Sequence, residues 1–242
     1  MRVKRLAEDV DFVNSHYIVM GTKKGIIKKS PLADYSRPRQ NGVIAITIKE
    51  DDELLSARLT NGSNEILMAT GKGRAIRFNE SVIRAIGRTG QGVKGIALDE
   101  GDEVVGMICV KDPEDDILVV SEKGYGKRSK LDDYRVTNRG GKGVKTMKIS
   151  DKTGDLIDIK NVTEDNDLMI INKSGVTIRV AVADLRITGR TTQGVRLINL
   201  DKKQDAIASV TKVVSERIEN EMFESSESEQ PEIDVPEDDN IE

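Results

Sequence analysis

The residues best suited to chemistry in this sequence are lysines and arginines that recur at fixed distances from glycines. Guanidinium and ammonium groups bind phosphate oxygens, and a glycine leaves its backbone N–H open to the same ligand. Some of these cations follow one set of glycines by three or four residues. Most of the others either precede a second set of glycines by three or four residues or lie just after that second set. The predicted phosphate-contacting side chains, with Arg37 added, are Lys28, Lys29, Arg37, Arg39, Arg77, Arg88, Lys94, Lys127, Arg128, Arg139, Lys145, Arg179, Arg190 and Arg196.

A glycine-rich loop at residues 137–143 is the strongest local candidate. Gly140, Gly141 and Gly143 lie beside the two cations Arg139 and Lys142. This spacing lets backbone N–H groups approach a phosphate between two positive charges. Residues 87–92 and 189–194 form weaker copies, and none of the three has the spacing of a nucleotide-binding P-loop. We predict phosphate binding by these loops.

Catalytic residue types are scarce. The chain has one histidine, His16, and one cysteine, Cys109, which lies in an apolar stretch typical of a packed thiol. Tyr35 and Tyr134 occupy the same position of an internal repeat, which favours a packing role over that of a nucleophile. We expect no catalytic residue, no metal site and no cofactor in this chain.

The elements that must position the cations belong to a repeat of about fifty residues. Two glycine series mark it, with steps of 48, 51 and 51 residues in the first and 50, 51 and 51 in the second. The first series is Gly25, Gly73, Gly124 and Gly175, and the second is Gly42, Gly92, Gly143 and Gly194. Two independent series with nearly one period indicate a true internal repeat.

Each repeat is predicted to be β-structure. Short apolar runs bounded by Gly, Asn, Asp and Ser predict about four strands, and the first glycine of each unit fits a hairpin turn. Four-stranded units of this length are typical of propeller-like folds. We predict an all-β domain over residues 1–214, with blades near 17–55, 65–105, 116–157 and 167–208, followed by a disordered acidic tail over 215–242.

Charge is segregated along the chain. The formal net charge is −4, yet residues 215–242 contain twelve acidic residues and one basic residue, a net −11. The first 214 residues therefore carry 37 basic and 30 acidic residues, a net +7. A basic body with an acidic tail is typical of proteins that bind polyanions.

Several phrases in the repeats resemble the C-terminal domain of bacterial DNA gyrase A. They are residues 123–128 (KGYGKR), 189–195 (GRTTQGV), and 76–78 (IRF) with 82–87 (VIRAIG). The resemblance runs from about Tyr17 to Val214 and includes the acidic tail. The related domain of topoisomerase IV ranks second.

The resemblance implies a β-pinwheel, a propeller-like fold in which neighbouring blades exchange strands. It also implies that duplex DNA is bound, bent and wrapped around a basic perimeter in a positive sense. The wrapped DNA would serve negative supercoiling by a type IIA topoisomerase whose ATP, Mg²⁺ and cleavage chemistry belong to other parts of the holoenzyme. The implied partners are duplex DNA, the rest of gyrase A, and gyrase B.

The chain departs from the family pattern in two ways. Only four repeats are visible where the family has about six, so we expect two further blades before Met1. The family's seven-residue box, Gln-basic-Arg-Gly-Gly-basic-Gly, belongs to the first blade, whereas the nearest copy here is residues 137–143 in the third visible repeat. The phosphate-contacting role of the box is carried over to Arg139 and Lys142, and it stays open whether this copy acts as the box.

Two alternatives stay open. The propeller could be a protein-interaction scaffold with an incidental basic rim, or the tail could fold back onto the rim as a DNA mimic. The sequence contains no apolar run of membrane-spanning length and no secretory leader, and its single cysteine suits a reducing compartment. We expect a cytoplasmic, nucleoid-associated protein, monomeric in isolation and without membrane contact.

Overall fold

The computed structural model describes residues 9–38, 40–200 and 205–219. A short helix, α1 (Val10–Ser15), precedes the first strand, and the side chain of Asp9 caps it by accepting a hydrogen bond from the Phe12 N–H. Most of the regular structure that follows in the described ranges is β-structure. The helical exceptions are a turn at 216–219 and three 3₁₀ helices, each just after the second strand of a repeat, at Leu32–Tyr35, Glu80–Val82 and Leu131–Asp133.

Each repeat contributes three strands to a sheet of its own. Two form a hairpin around a first-series glycine, and the third pairs with the other side of the first strand. In the four repeats these strands are β1 (Tyr17–Thr22), β2 (Ile26–Pro31) and β3 (Leu54–Thr60); β4 (Glu65–Thr70), β5 (Arg74–Asn79) and β7 (Val104–Val110); β8 (Asp116–Ser121), β9 (Tyr125–Lys130) and β11 (Leu156–Val162); and β12 (Asn166–Asn172), β13 (Thr177–Ala181) and β15 (Ile207–Val214).

Three sheets gain a fourth strand from the next repeat. The exchanged strands have two residues each: β6 (Val93–Lys94), β10 (Val144–Lys145) and β14 (Val195–Arg196). They pair antiparallel with β2, β5 and β9 of the preceding repeat, and the sheet orders are β3-β1-β2-β6, β10-β5-β4-β7 and β11-β8-β9-β14. This exchange is the feature that the resemblance to a β-pinwheel implied.

The second glycine series makes the exchange possible. Gly143 has a φ of +69°, and a Cβ built on it would collide with the carbonyl of Ala75 in the sheet that it joins. Gly92 and Gly194 have φ values of +94° and +82° and lie similarly close to the carbonyls of Ile27 and Gly126. A left-handed backbone pressed against a neighbouring carbonyl admits glycine and little else.

The inner edges of the sheets meet one another. Strands β3, β7, β11 and β15 contact each other in succession, and the hydrophobic core lies between adjacent sheets in three clusters. The first cluster includes Val119, the second Met68 and the third Ile170. The exchanged strands therefore lie on the opposite, outer edge.

The all-β, four-blade prediction is confirmed, with local differences. In the described residues the last sheet has three strands, because the fourth strand of each sheet comes from a following repeat. Residues 43–48 are a mostly apolar run rich in β-branched residues, a pattern that predicts a strand, but these residues form none. The last strand of each unit runs seven or eight residues, past the predicted blade ends. Residues 220–242, most of the predicted tail, lie outside the described ranges.

Candidate nucleic-acid interface

Three segments cross the outer edge of the sheets, and we call residues 84–94, 135–145 and 186–196 the straps. Each strap first runs parallel to the outer hairpin strand of the preceding blade, through the bridges Lys29 to Ala85, Arg77 to Val136 and Arg128 to Ile187. It then makes the glycine loop and returns as the exchanged strand. Each strap therefore places its loop on the rim of the blade before it.

Neighbouring straps contact each other directly. The guanidinium of Arg139 donates hydrogen bonds to the carbonyls of Lys94 and Val82, both at 3.2 Å. The Gly140 N–H donates to the carbonyl of Gly95 at 2.6 Å, and Arg190 Nη1 donates to the carbonyl of Lys145 at 2.7 Å. The glycine loops are thus joined into one continuous line along the outer edge.

The predicted cations of this line reach solvent. Lys94, Lys145 and Arg196, each the second residue of an exchanged strand, are exposed, and Arg37 is exposed as well. The loop arginines Arg88, Arg139 and Arg190 are half-buried, and the latter two bond to the neighbouring strap. A line of cations on a convex edge can bind a polyanion that curves around it.

Two members of the line are tied to local partners. Lys142 is exposed and forms an ion pair with Asp99, and this contact holds the pKa of the Asp99 carboxyl below its usual value. Arg196 donates to the Asn199 side chain and to the Tyr125 hydroxyl, and it lies 5.7 Å from the centre of that ring. The prediction that glycine N–H groups of this loop bind phosphate is wrong for Gly140, whose N–H donates to the carbonyl of Gly95; for Gly141 and Gly143 it stays a prediction.

Other predicted contacts lie in the interior instead. Lys28 and Lys127 are almost completely buried. Lys28 Nζ donates to the carbonyls of Ala45 and Arg88, and Lys127 Nζ donates to the Gly189 carbonyl at 2.8 Å. Burial lowers the pKa of both lysines, that of Lys127 to about 7. These ammonium groups bond to the underside of the glycine loops, where a phosphate does not reach.

The cations four residues after the first-series glycines are also held by protein groups. Buried Lys29 pairs with buried Glu80 at 3.1 Å, and buried Arg128 pairs with Asp116 at 2.6 Å. Arg77, whose side chain is 10% exposed, pairs with Glu65, and exposed Arg179 pairs with Asp167 and Glu219. The structure therefore divides the predicted cations into an outer line and an inner set of blade contacts.

One outer series was missed by the sequence prediction. Arg84, Arg135 and Arg186 are exposed, lie one per strap and are separated by 51 residues each. The period that located the other cations would have found them, since they precede the second-series glycines by eight residues. The remaining predicted cation, Arg39, lies outside the described residues.

Cys109, Tyr134 and His16 are held in packed surroundings. Burial raises the pKa of the Cys109 thiol to about 12, and burial likewise raises the pKa of Tyr134, which bonds to Thr146, to about 12. His16 stacks on Phe12 at 3.9 Å between ring centres. Over the described ranges, no cluster of three metal-binding side chains occurs, and no helix is long and apolar enough to cross a bilayer.

Comparison with known proteins relates the chain to one family. The family model described as the DNA gyrase C-terminal domain, beta-propeller, matches residues 16–61, 64–111, 115–163 and 166–213, one match per blade. The chain is 48% identical over 214 residues to DNA gyrase A of Staphylococcus aureus strain NCTC 8325 and 47% identical over 215 residues to that of strain MRSA252. Each match covers 88% of this chain but 24% of the relative, so the chain spans about a quarter of their length.

Solved structures show the same fold. A crystal structure of the C-terminal domain of DNA topoisomerase IV superposes with a TM-score of 0.80 at 24% identity, over 92% of this chain and 69% of that one. A structure of a DNA gyrase A C-terminal domain gives 0.74 at 29% identity, over 85% and 68%. The first of these likenesses concerns the fold alone.

Proposed function

The chain belongs to the DNA gyrase C-terminal domain family, and on that premise we propose that it binds duplex DNA without sequence preference and bends and wraps it along its outer edge. The observation that carries the proposal is the contact between straps. Arg139 reaches the carbonyl of Lys94, and Arg190 reaches that of Lys145, so the exposed cations of successive blades form one line.

The energetics of bending explain why a long line is needed. Bending 20–30 base pairs by 40–90° costs on the order of 1–6 kcal/mol. Phosphate contacts offset this cost because each one releases counterions, and they carry no sequence information. Cations repeated from blade to blade supply such contacts all along a curved duplex.

The DNA-contacting residues that we propose are those of the sequence-predicted set that face solvent. Gly140, Gly141 and Gly143 shape the best-formed loop, and the contacting side chains are Arg37, Arg88, Lys94, Arg139, Lys142, Lys145, Arg190 and Arg196. Arg39 remains a prediction from the sequence. The buried or ion-paired cations Lys28, Lys29, Arg77, Lys127 and Arg128 are assigned instead to holding the blades together, and Arg179 is assigned to contacts within the last repeat and the turn after it.

The wider setting is also proposed. The chain would act within a type IIA topoisomerase that couples ATP hydrolysis to negative supercoiling, with ATP, Mg²⁺ and DNA cleavage supplied elsewhere in the holoenzyme. Its partners would be DNA, the remainder of gyrase A, and gyrase B, at the nucleoid in the cytoplasm. The isolated chain would be a monomer. The identity to DNA gyrase A supports this setting over topoisomerase IV.

A plasmid topology assay tests the function. Relaxed circular DNA is incubated with the 242-residue chain and a relaxing topoisomerase, and the linking number is read on a gel. Chiral wrapping predicts a positive linking-number shift that grows with protein and weakens with salt. Gel retardation without a shift would mean binding without wrapping, and a lack of both would favour the protein-interaction scaffold.

A further inference from the structure

Arg84, Arg135 and Arg186 form a series of their own on the straps. All three are exposed, and none of their side chains makes a hydrogen bond, ion pair or ring contact with any residue in the described ranges. Two exposed acids lie near these arginines in the sequence, because Asp133 precedes Arg135 by two residues and Asp184 precedes Arg186 by two. Neither acid forms an ion pair with the neighbouring arginine. Three arginines per domain therefore carry positive charge that no described side chain neutralises.

The pairing of the straps gives this series a defined place. In the first strap, Ala85 bridges to Lys29 whereas Lys94 pairs with Ile26 on the same strand. Because this bridge is parallel, Arg84 lies level with Lys28, two residues or about 7 Å along the strand from Ile26. Arg84 and Lys94 thus lie at two different levels along strand β2, which forms the outer side of the hairpin.

The same spacing recurs in the other two straps. Val136 bridges to Arg77 and Lys145 pairs with Arg74, while Ile187 bridges to Arg128 and Arg196 pairs with Tyr125. The levels are repeated at three consecutive blades, so each level forms a row. The lower row consists of Lys94, Lys145 and Arg196, and the upper row, as we name it, consists of Arg84, Arg135 and Arg186.

We propose that the upper row is a second line of phosphate contacts, which binds the DNA backbone on the far side of a groove from the lower row. The proposal rests on the proposed function, since it assumes that the outer edge carries DNA. A separation of about 7 Å lies between the widths of the two grooves of B-DNA, about 6 Å and 12 Å, so both backbones bordering one groove are within reach of long side chains. Arginine suits this role because its planar group binds phosphate oxygens in pairs.

The test compares two triple variants of equal charge. One is Arg84→Gln, Arg135→Gln and Arg186→Gln, and the control is Arg58→Gln, Lys111→Gln and Lys173→Gln. The control residues are exposed cations on inner strand β3, after inner strand β7 and in the turn between β12 and β13. The affinity for a linear duplex is measured from low to high salt, and circular dichroism verifies that both variants are folded.

We expect the upper-row variant to bind about tenfold more weakly than the control variant at moderate salt. The slope of log affinity against log salt should also become shallower by about 2.7, because three phosphate contacts are lost. Identical affinities and slopes for the two triple variants would overturn the upper row. If the unaltered chain itself shows no salt-dependent binding and no linking-number shift, the proposed function fails first, so the two failures are distinguishable.

Discussion

The guanidinium of Arg77 in the second blade donates a hydrogen bond to the carbonyl oxygen of Tyr134 in the third blade, at 3.0 Å. The same guanidinium donates to the carbonyl of Leu131 and pairs with Glu65 of its own blade. Arg128 repeats this pattern, because it pairs with Asp116 and donates to the carbonyl of Val182 in the fourth blade. These arginines fix one blade against the next, and so fix the curve that the outer edge follows.

Removal of Arg128 should strongly destabilise the domain. Arg128→Ala leaves the buried carboxylate of Asp116 with one exposed lysine as its charge partner, and breaking a buried pair in this way costs about 3–5 kcal/mol. The free energy of unfolding, measured with urea, should fall by about that amount. Arg186→Ala, at an exposed position without described contacts, is the matched control and should change it by less than about 0.5 kcal/mol.

The sequence located the cations that follow the first-series glycines by four residues, such as Arg77 and Arg128, but it did not predict their role in joining blades. The signal that would have revealed it is an acid twelve residues upstream, present as Glu65, Asp116 and Asp167. Twelve residues across a tight hairpin bring the two side chains to the same face as diagonal neighbours on paired strands. In the first blade the acid is replaced by Tyr17, and Lys29 lies 4.3 Å from the centre of its ring.

The stability of the domain should rise with pH because of Lys127. Burial lowers the pKa of Lys127 from 10.5 to about 7, with nearby Arg190 lowering it further and Asp133 opposing the shift. The unfolded chain keeps the ordinary pKa, so between about pH 7 and 10.5 it binds more protons than the folded chain. The free energy of unfolding should therefore increase through this window, by at most about 1.4 kcal/mol per pH unit from this residue.

A pair of variants isolates that effect. Lys127→Met removes the buried amine and should flatten the dependence on pH between 7 and 9, as measured by urea unfolding at each pH. Lys145→Met removes an exposed lysine of the same chain and should leave the dependence intact. Parallel pH profiles for the unaltered chain and Lys127→Met would contradict the prediction.

Binding by the loop at 137–143 should be independent of DNA sequence. The double variant Arg139→Ala with Lys142→Ala should lower affinity equally for unrelated duplexes, with the salt slope shallower by about 1 to 2. Fluorescence titration of two duplexes of opposite base composition measures this. A loss confined to one duplex would indicate base contacts in place of phosphate contacts.

Neutralising Asp99 should strengthen DNA binding. Its carboxylate forms an ion pair with Lys142, and an exposed pair of this kind contributes little because water screens it. Asp99→Asn frees the ammonium group and removes a negative charge from the rim, so affinity should rise by about 1.5- to 5-fold. Glu114→Gln, an exposed acid in the turn before β8, is the charge-matched control, and an equal gain from both variants would point to overall charge alone.

The residues themselves predicted the strand pattern of the blades, whereas the exchange between blades was implied only by the family resemblance. The hairpins follow from apolar runs around glycines such as Gly25 and Gly124, which are local signals. The exchanged strands have only two residues, such as Val144 and Lys145, and their partners lie about seventy residues away, so the strand β10 has no local signature. The buried positions of Lys28 and Lys127 depend on that exchange, because the straps are what cover them.

The exchange also predicts unequal effects of alanine at two glycines in one loop. Gly140 and Gly143 both have positive φ, +82° and +69°, so each substitution carries a left-handed strain of about 1–2 kcal/mol. At Gly140 the nearest atom that a Cβ would meet is the Lys94 carbonyl oxygen at 3.5 Å, an ordinary contact. At Gly143 the Cβ would collide with the Ala75 carbonyl, to which the exchanged strand is bound.

Gly140→Ala should therefore cost about 1–2 kcal/mol in urea unfolding and leave the exchanged strand β10 in place. Gly143→Ala should cost clearly more and should weaken DNA binding as well, because β10 must move away from β5 and takes Lys145 with it. Hydrogen exchange at the Thr146 amide, which donates to the Gly73 carbonyl at the end of this pairing, reports the same displacement directly. Equal losses for the two variants would mean that backbone strain, and not the fit of the strap against the preceding blade, sets the requirement for glycine.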